Sequence, residues 1–263
     1  MPITEDDLTN AKTVDRAWMM LPSDDIKDHH GEPYALIILN QPIGDIDMLD
    51  RVWKNAAVVA CADGGANRLY SALDEMSRVK YLPDFIAGDL DSLKVDVRTY
   101  YENLGVTVYH SSDQDSTDFG KCLLIVDTKL GKRTSNGNRI GVVALGGTGG
   151  RVDQAFHSIH SLFVHEYGLE QDRREVTLLS DDSLTFLIGA GTSKLFTPRS
   201  VLGPTCGIIP VSGPAVISTQ GLTWDVSDWE TRFDLQVSTS NAMEADDVFI
   251  KSDVILLFTV EVP

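Results

Sequence analysis

Residues 113–121, DQDSTDFGK, crowd three aspartates into six positions of a chain whose formal net charge is already −17. Like charges at short range are costly unless a cation lies among them. A second acidic pair, Asp89 and Asp91, stands in GDLDS. Taken alone, DQDSTD is a helix start, with Asp113 and Asp115 capping and acids favoured in the first turn. Taken alone, GDLDS is a turn after a buried strand. Taken together, they place Asp89, Asp91 and Asp118 at one point if both segments end on the same edge of one sheet. Oxygen ligands without His or Cys suit Mg²⁺ or Mn²⁺. The spacing is not that of a Ca²⁺-binding EF-hand loop.

The second unusual run is GGTGGR, residues 146–151. Val152 stands where a dinucleotide fingerprint has its last glycine, and no Gly-Lys-Ser/Thr follows as in a Walker A loop. One reading is a flexible turn. The other is a phosphate cradle: Gly147, Gly149 and Gly150 let backbone N–H groups approach an anion, and Arg151 adds a fork of donors. Lys121, one turn beyond Asp118, either reaches the same anion or pairs with Asp118 on the surface. His157 and His160 lack the glutamate of a zinc protease helix and read as packing or solvated residues. No Gly-x-Ser-x-Gly elbow exists, which argues against a serine hydrolase.

These segments need a scaffold that brings them to one edge. Apolar strand runs at 34–40, 56–62, 84–88, 106–111, 139–145 and 175–180 alternate with helical spacing. Phe119, Leu123, Val126 and Leu130 form one apolar face, and Val152, Phe156, Ile159 and Phe163 another. This predicts an α/β fold: a mainly parallel, Rossmann-like sheet flanked by helices. Its ligands belong beyond the carboxyl ends of the strands. Four of those ends run into DGGAN, GDLDS, DQDSTD and GGTGGR. After Ser180, short alternating segments separated by Gly, Pro, Ser and Asp predict an antiparallel β-sandwich. The expected domains are an N-terminal extension at 1–33, an α/β domain at 34–180 and a β-sandwich domain at 181–263.

Composition narrows the partners. The chain has 263 residues, 43% apolar and 23% charged, ordinary for a globular protein. Its acidity argues against a nucleic-acid backbone as partner. A small phosphorylated ligand is allowed if a divalent cation offsets the charge. Cys61, Cys122 and Cys206 are few, widely spaced and set in apolar segments, which predicts reduced, buried thiols. No run is long and apolar enough for a membrane span, and MPITEDDLTN has no apolar export core. The expected location is cytoplasmic, with no membrane partner.

ILNQP (38–42), CADGGAN (61–67), GDLDS (88–92), DQDSTDFGKC (113–122), GGTGGRVDQ (146–154) and STSN (238–241) together resemble the motifs of eukaryotic thiamine pyrophosphokinases. The resemblance runs in order from about Tyr34 to the C-terminus. It implies an α/β domain that binds ATP and Mg²⁺, a β-sandwich that binds thiamine, and a homodimer with active sites at the subunit interface. The implied reaction moves a pyrophosphoryl group from ATP to thiamine and releases AMP. Carried onto this sequence, it places Mg²⁺ on Asp89, Asp91 and Asp118. Asp63, Gly64, Gln114, Thr117 and Lys121 would lie around metal and triphosphate, with Arg151 and Asp153 near them. Trp224, Ser240 and Asn241 would face thiamine, the indole stacking on a ring and the amide bonding an aminopyrimidine. The alternative for Trp224 is a place in the sandwich core. Departures from the family pattern fall before Tyr34 and around Lys129 to Asn138, outside every motif. Three rival readings remain: an Asp-x-Asp phosphatase, a nucleotide-sugar transferase, and a nucleotide- or thiamine-binding protein without catalysis.

Overall fold

Thr4 and Asp7 start the first helix, α1 (Glu5–Thr9), by capping each other. The Thr4 hydroxyl accepts from the Asp7 N–H at 3.2 Å, and the Asp7 carboxylate accepts from the Thr4 N–H at 2.9 Å. This reciprocal box satisfies two N–H groups that a helix start leaves open. Strand β1 (Lys12–Asp15) follows, then a 3₁₀ turn, Trp18–Met20. The computed structural model describes residues 2–21, 33–113, 115–130, 139–168 and 173–263. Residues 22–32 of the expected extension and residues 131–138 of the stretch around Lys129 to Asn138 lie outside them. The chain divides into two compact units, Pro22–Asp181 and Met1–Leu21 with Asp182–Pro263.

In the first of these units the strands are β2 (Tyr34–Ile38), β3 (Val58–Ala62), β4 (Phe85–Gly88), β5 (Thr107–His110), β6 (Gly141–Leu145) and β7 (Val176–Leu179). Every residue of β2, β3, β4 and β7 is buried. Such strands have no polar face to show to water, so helices must cover both sides. The helices are α2 (Ile46–Lys54), α3 (Gly65–Ala72), α4 (Glu75–Arg78), α5 (Val95–Asn103), α6 (Asp118–Leu130) and α7 (Val152–Tyr167). All pairings in this unit are parallel, in the order β7-β6-β2-β3-β4-β5. The chain walks outward from β2 to β5, then α6 carries it back to the far side of β2. The strand order therefore reverses between β2 and β6, the place where an open α/β sheet opens a crevice.

Helix α6, which carries two of the candidate site residues, is fixed at both ends. Phe119, Leu123 and Val126 are buried along its apolar face. Near its far end Asp127 accepts from buried Arg174 and, at 3.2 Å, from Arg139. Those arginines precede β7 and β6, so the ion cluster ties the helix to the roots of two strands. Burial holds the Arg174 guanidinium below its usual pKa, with Asp127 opposing.

The helical spacing between the second and third strand runs divides into two helices: α3 ends at Ala72, and Asp74 caps α4 by accepting from the Ser77 N–H at 2.7 Å. One expectation needs correction. The apolar row expected to bury α7 does not do so. Val152 and Phe156 are 70% and 62% exposed, while Ser161, Leu162 and Glu166 face inward. Glu166 accepts from the Val176 N–H at 3.1 Å, so a polar contact, invisible to apolar periodicity, sets the helix rotation.

The second unit holds β8 (Ser183–Ile188), β9 (Gly191–Phe196), β10 (Thr205–Ile209), β11 (Ala215–Gln220), β12 (Trp229–Thr231), β13 (Ser238–Ala242), β14 (Asp247–Ser252) and β15 (Leu256–Glu261). Its two sheets contain β1-β9-β14-β11-β12 and β13-β10-β15-β8. Alternating burial along β9 and β14 marks strands with one covered face. In the other sheet Phe186 and Phe258 pack with ring centroids 5.4 Å apart. The pairings are antiparallel with one exception: β1 lies parallel to β9. The N-terminal stretch up to Leu21 is thus a piece of this unit, where an extension was expected. Asp7 holds it further, accepting from Lys251 Nζ at 2.8 Å. That cation, with the Thr4 bonds, keeps the Asp7 carboxyl well below the usual range. All three cysteines are buried and unpaired. No helix among the described residues is long and apolar enough to cross a membrane.

Met20 is fully buried in this N-terminal stretch. Met20→Ala should therefore destabilise the full-length chain by about 2–5 kcal/mol in denaturant unfolding. A loss of only a few tenths would show that the stretch is dispensable to the fold.

Candidate active site

The three acidic segments meet because β3, β4 and the start of α6 are neighbours. Asp63 leaves β3 in a left-handed conformation (φ +42°), its N–H donating to the Ala87 carbonyl at 2.9 Å. Asp89 leaves β4, and its N–H donates to Asp118 Oδ1 at 3.1 Å. Asp118 begins α6 and accepts from Lys121 Nζ at 3.1 Å. Lys121 is buried, so its charge acts locally on this cluster. Carboxylate oxygens of Asp63, Asp89 and Asp118 all lie within 4.8 Å of one another. Ser92 N–H donates to Asp63 Oδ2 at 3.1 Å, but buried Oδ1 has no hydrogen-bond partner. Burial, then the charges of Asp118 and Asp91, raises the Asp63 pKa. A buried carboxylate oxygen without a donor, beside two more carboxylates, fits a bound divalent cation.

The grouping differs from the expected one in a single member. Asp63 joins Asp89 and Asp118, whereas Asp91 stands outside the trio. Leu90, between the two aspartates, is left-handed (φ +65°), and Asp91 is exposed, its Oδ1 accepting from Ser92 Oγ at 2.9 Å. Gly88 is required beneath them. A Cβ there would lie 2.7 Å from Asp63 Cβ and 3.0 Å from Asp118 Oδ1.

A cavity of about 730 Å³ opens over this cluster. Of the expected residues, Asp63, Gly64, Asp89, Asp91, Thr117, Asp118, Lys121, Gly147, Gly149, Gly150 and Arg151 line it. Asp153 does not, and Gln114 lies outside the described residues. Thr117 caps α6, its Oγ1 accepting from the Gly120 N–H at 3.2 Å. Asp113 instead closes the preceding turn by accepting from Asp115 N–H and Ser116 Oγ. In the glycine loop, Gly149 (φ +126°) and Gly150 (φ +64°) occupy backbone space that suits glycine. A Cβ at Gly150 would come within 2.6 Å of the Gln41 amide. The Arg151 fork is engaged by Asp153 at 3.0 and 2.5 Å, and both side chains are exposed.

Asn40, Gln41, Arg68 and His157 also line this wall. Sequence reasoning assigned Asn40 and Gln41 no individual role within ILNQP, read His157 as packing or solvated, and did not single out Arg68. Asn40 and Gln41 had a signal, since they follow a wholly apolar strand at the switch point. Arg68 had none, being one polar position on a helix.

In the β-sandwich unit, Trp224 is 61% exposed, which excludes the core alternative. Asn241 is buried and used within the chain: its Oδ1 accepts from Trp224 and Ala242 N–H groups, and its Nδ2 donates to the Trp224 carbonyl at 3.0 Å. The amide holds the Trp224 backbone in place. Ser240 beside it is left-handed (φ +56°).

Comparison with known proteins gives this geometry a context. Residues 49–173 match the model of the thiamin pyrophosphokinase catalytic domain, and residues 192–257 that of the thiamin pyrophosphokinase vitamin B1 binding domain. Thiamine pyrophosphokinase 1 of Arabidopsis thaliana is 37% identical over 255 residues, covering 92% of this chain and 91% of its own. The chain belongs to the thiamine pyrophosphokinase family. The Saccharomyces cerevisiae thiamine pyrophosphokinase is 34% identical over 281 residues, covering 88% and 86%. A crystal structure of the yeast thiamin pyrophosphokinase matches with a TM-score of 0.82 at 30% identity, covering 100% of this chain and 95% of that one. Candida albicans thiamin pyrophosphokinase follows with 0.79 at 25%, covering 100% and 96%. The family's two domain models fall one within each compact unit.

Gly88→Ala should push Asp63 and Asp118 apart and weaken Mn²⁺ binding by roughly tenfold or more, a loss of about 1.4 kcal/mol. Calorimetric titration of the full chain measures it. Unchanged affinity would show that the carboxylates do not act as one metal site.

Proposed function

We propose that this protein transfers the pyrophosphoryl group of ATP to the hydroxyl of thiamine, giving thiamine diphosphate and AMP, with Mg²⁺ as its metal. The observation that carries the reading is the convergence of Asp63, Asp89 and Asp118 at the mouth of the cavity, one buried oxygen lacking a donor. Family membership supplies the substrate classes. A divalent cation held there would neutralise charge on the phosphate oxygens. Asp91, exposed at the rim, supports the site from outside the trio. Lys121, anchored by Asp118, stays beside the metal carboxylates and meets charge that develops on the phosphates. Backbone N–H groups of the 146–150 loop offer a further seat for phosphate, with Thr117 fixing the start of α6. The thiamine hydroxyl oxygen attacks the β-phosphorus in line, its proton passing to solvent, and the bond from that phosphorus to the α,β-bridging oxygen breaks, its electron pair leaving on AMP. Such transfers depend chiefly on positioning and charge stabilisation.

Trp224 is the proposed stacking face for thiamine, its exposure and its Asn241 support favouring a contact role. We also propose a cytoplasmic homodimer with active sites at the subunit interface. Exposed Val152, Phe156 and Val164 on α7 are apolar surface that a second copy would cover. The phosphatase rival is less favoured, since its Asp-x-Asp belongs on the first strand of its fold and here it follows β4.

Incubation with ATP, Mg²⁺ and thiamine should give AMP and thiamine diphosphate in equal amounts. Nucleotide binding without AMP would instead mark a binding protein, and inorganic phosphate release a phosphatase. Asp118→Ala should lower turnover by roughly 10³-fold, because the metal and Lys121 lose their shared partner. Near-normal turnover in that variant would remove the metal assignment. Trp224→Ala should raise the thiamine KM by roughly tenfold, the scale of one lost ring contact, without lowering the melting temperature. An unchanged KM would place thiamine elsewhere.

A further inference from the structure

Three cationic side chains among the described residues line the cavity: Arg68, Lys121 and Arg151. Two are already engaged by carboxylates. Lys121 donates to Asp118, and Arg151 is gripped twice by Asp153. Arg68 differs. Its Nε donates to Asn40 Oδ1 at 2.8 Å, and its partner is neutral. That bond orients the guanidinium without neutralising it, and leaves the outer edge of the fork available.

The local chain is arranged to permit this contact. Asn40 follows β2 at the switch point, and Arg68 lies in the first turn of α3. Gly64 stands between them, where a Cβ would fall 2.4 Å from Asn40 Nδ2. Gly64 has an ordinary helical conformation (φ −58°), so its glycine is needed for this approach and not for its backbone angles. Five carboxylates also line the cavity, Asp63, Asp89, Asp91, Asp113 and Asp118. In such surroundings an arginine paired only with an amide is the donor best placed to receive a polyanion.

We propose that Arg68, aimed by Asn40, is a phosphate-binding residue for the nucleoside triphosphate, gripping oxygens away from the metal carboxylates. This rests on the reading of the cavity as the ATP site. A planar fork binds two phosphate oxygens at once, which a lysine ammonium does not reproduce. Asn40 acts through Arg68, as a positioning residue.

The test uses the full-length protein with MgCl₂. Arg68→Gln should weaken ATP binding tenfold or more by calorimetry and raise the ATP KM similarly, with the thiamine KM and the melting temperature unchanged. Arg68→Lys should restore only part of the affinity. Asn40→Ala should weaken ATP binding less, and adding it to Arg68→Gln should cost nothing further, because both act through one contact. Arg98→Gln, on the exposed face of α5, controls for loss of a charge and should bind ATP normally. ATP affinity within twofold of wild type in Arg68→Gln overturns the proposal, as does an equal rise in the thiamine KM. If Arg68→Gln does not fold, Arg68→Lys decides by the same criteria, with a threefold loss required. Wild-type protein that binds ATP through Arg68 yet forms no AMP would overturn the proposed reaction and leave this site standing.

Discussion

Repulsion among three carboxylates is the constraint around which the α/β unit is organised. Asp63, Asp89 and Asp118 come from three different segments and are held together by backbone geometry more than by mutual attraction. Among the described residues the buried cation beside them is Lys121, one positive charge against three negative ones. The deficit is offset in part by an N–H from Ser92 to Asp63 and an N–H from Asp89 to Asp118. A cluster assembled at such electrostatic cost is intelligible as a seat for a divalent cation, whose charge would reverse the sign of the local interaction. Burial first, and then the neighbouring charges of Asp118 and Asp91, raises the Asp63 pKa.

Holding the cluster requires rigidity on both sides of the sheet edge. The strands beneath it are buried and parallel, so their carboxyl ends share one level. Helix α6 delivers Asp118 and Lys121 from its first turn, and its other end is tied by Asp127 to Arg139 and Arg174. An isolated buried ion cluster is weak evidence for stability. Here its placement supplies something else: it limits how far α6 can slide or rotate, and so how far two site residues can drift.

Much of this was legible in the sequence. Apolar strand runs fixed the parallel sheet, because a strand buried on both faces needs no alternation to be recognised. Polar clusters after those runs marked the edge at which Asp89 and Asp118 converge. What escaped notice depended on contacts between distant segments. Asp63 groups with Asp89 and Asp118, while Asp91 lies beyond a left-handed Leu90, a conformation that leaves no compositional mark. The rotation of α7 is set by Glu166 meeting the start of β7, which outweighs an apolar row that periodicity favoured. The N-terminal stretch looked like an extension because its one short strand pairs with β9, about 180 residues away.

The glycines show why motif and mechanism should be read together. Gly64, Gly88 and Gly150 each lie where a Cβ would strike a side chain that faces the cavity: Asn40, Asp63 and Gln41. In each case the glycine makes room for a neighbour, and only Gly150 needs its unusual backbone angle as well. A glycine-rich cavity edge is commonly taken as a set of N–H donors for phosphate. In this chain the same glycines also let polar side chains from β2, β3 and α3 approach one another across the sheet edge. The site is therefore not a loop laid over a scaffold. Its donors, its carboxylates and the gaps that admit them are parts of one packing solution.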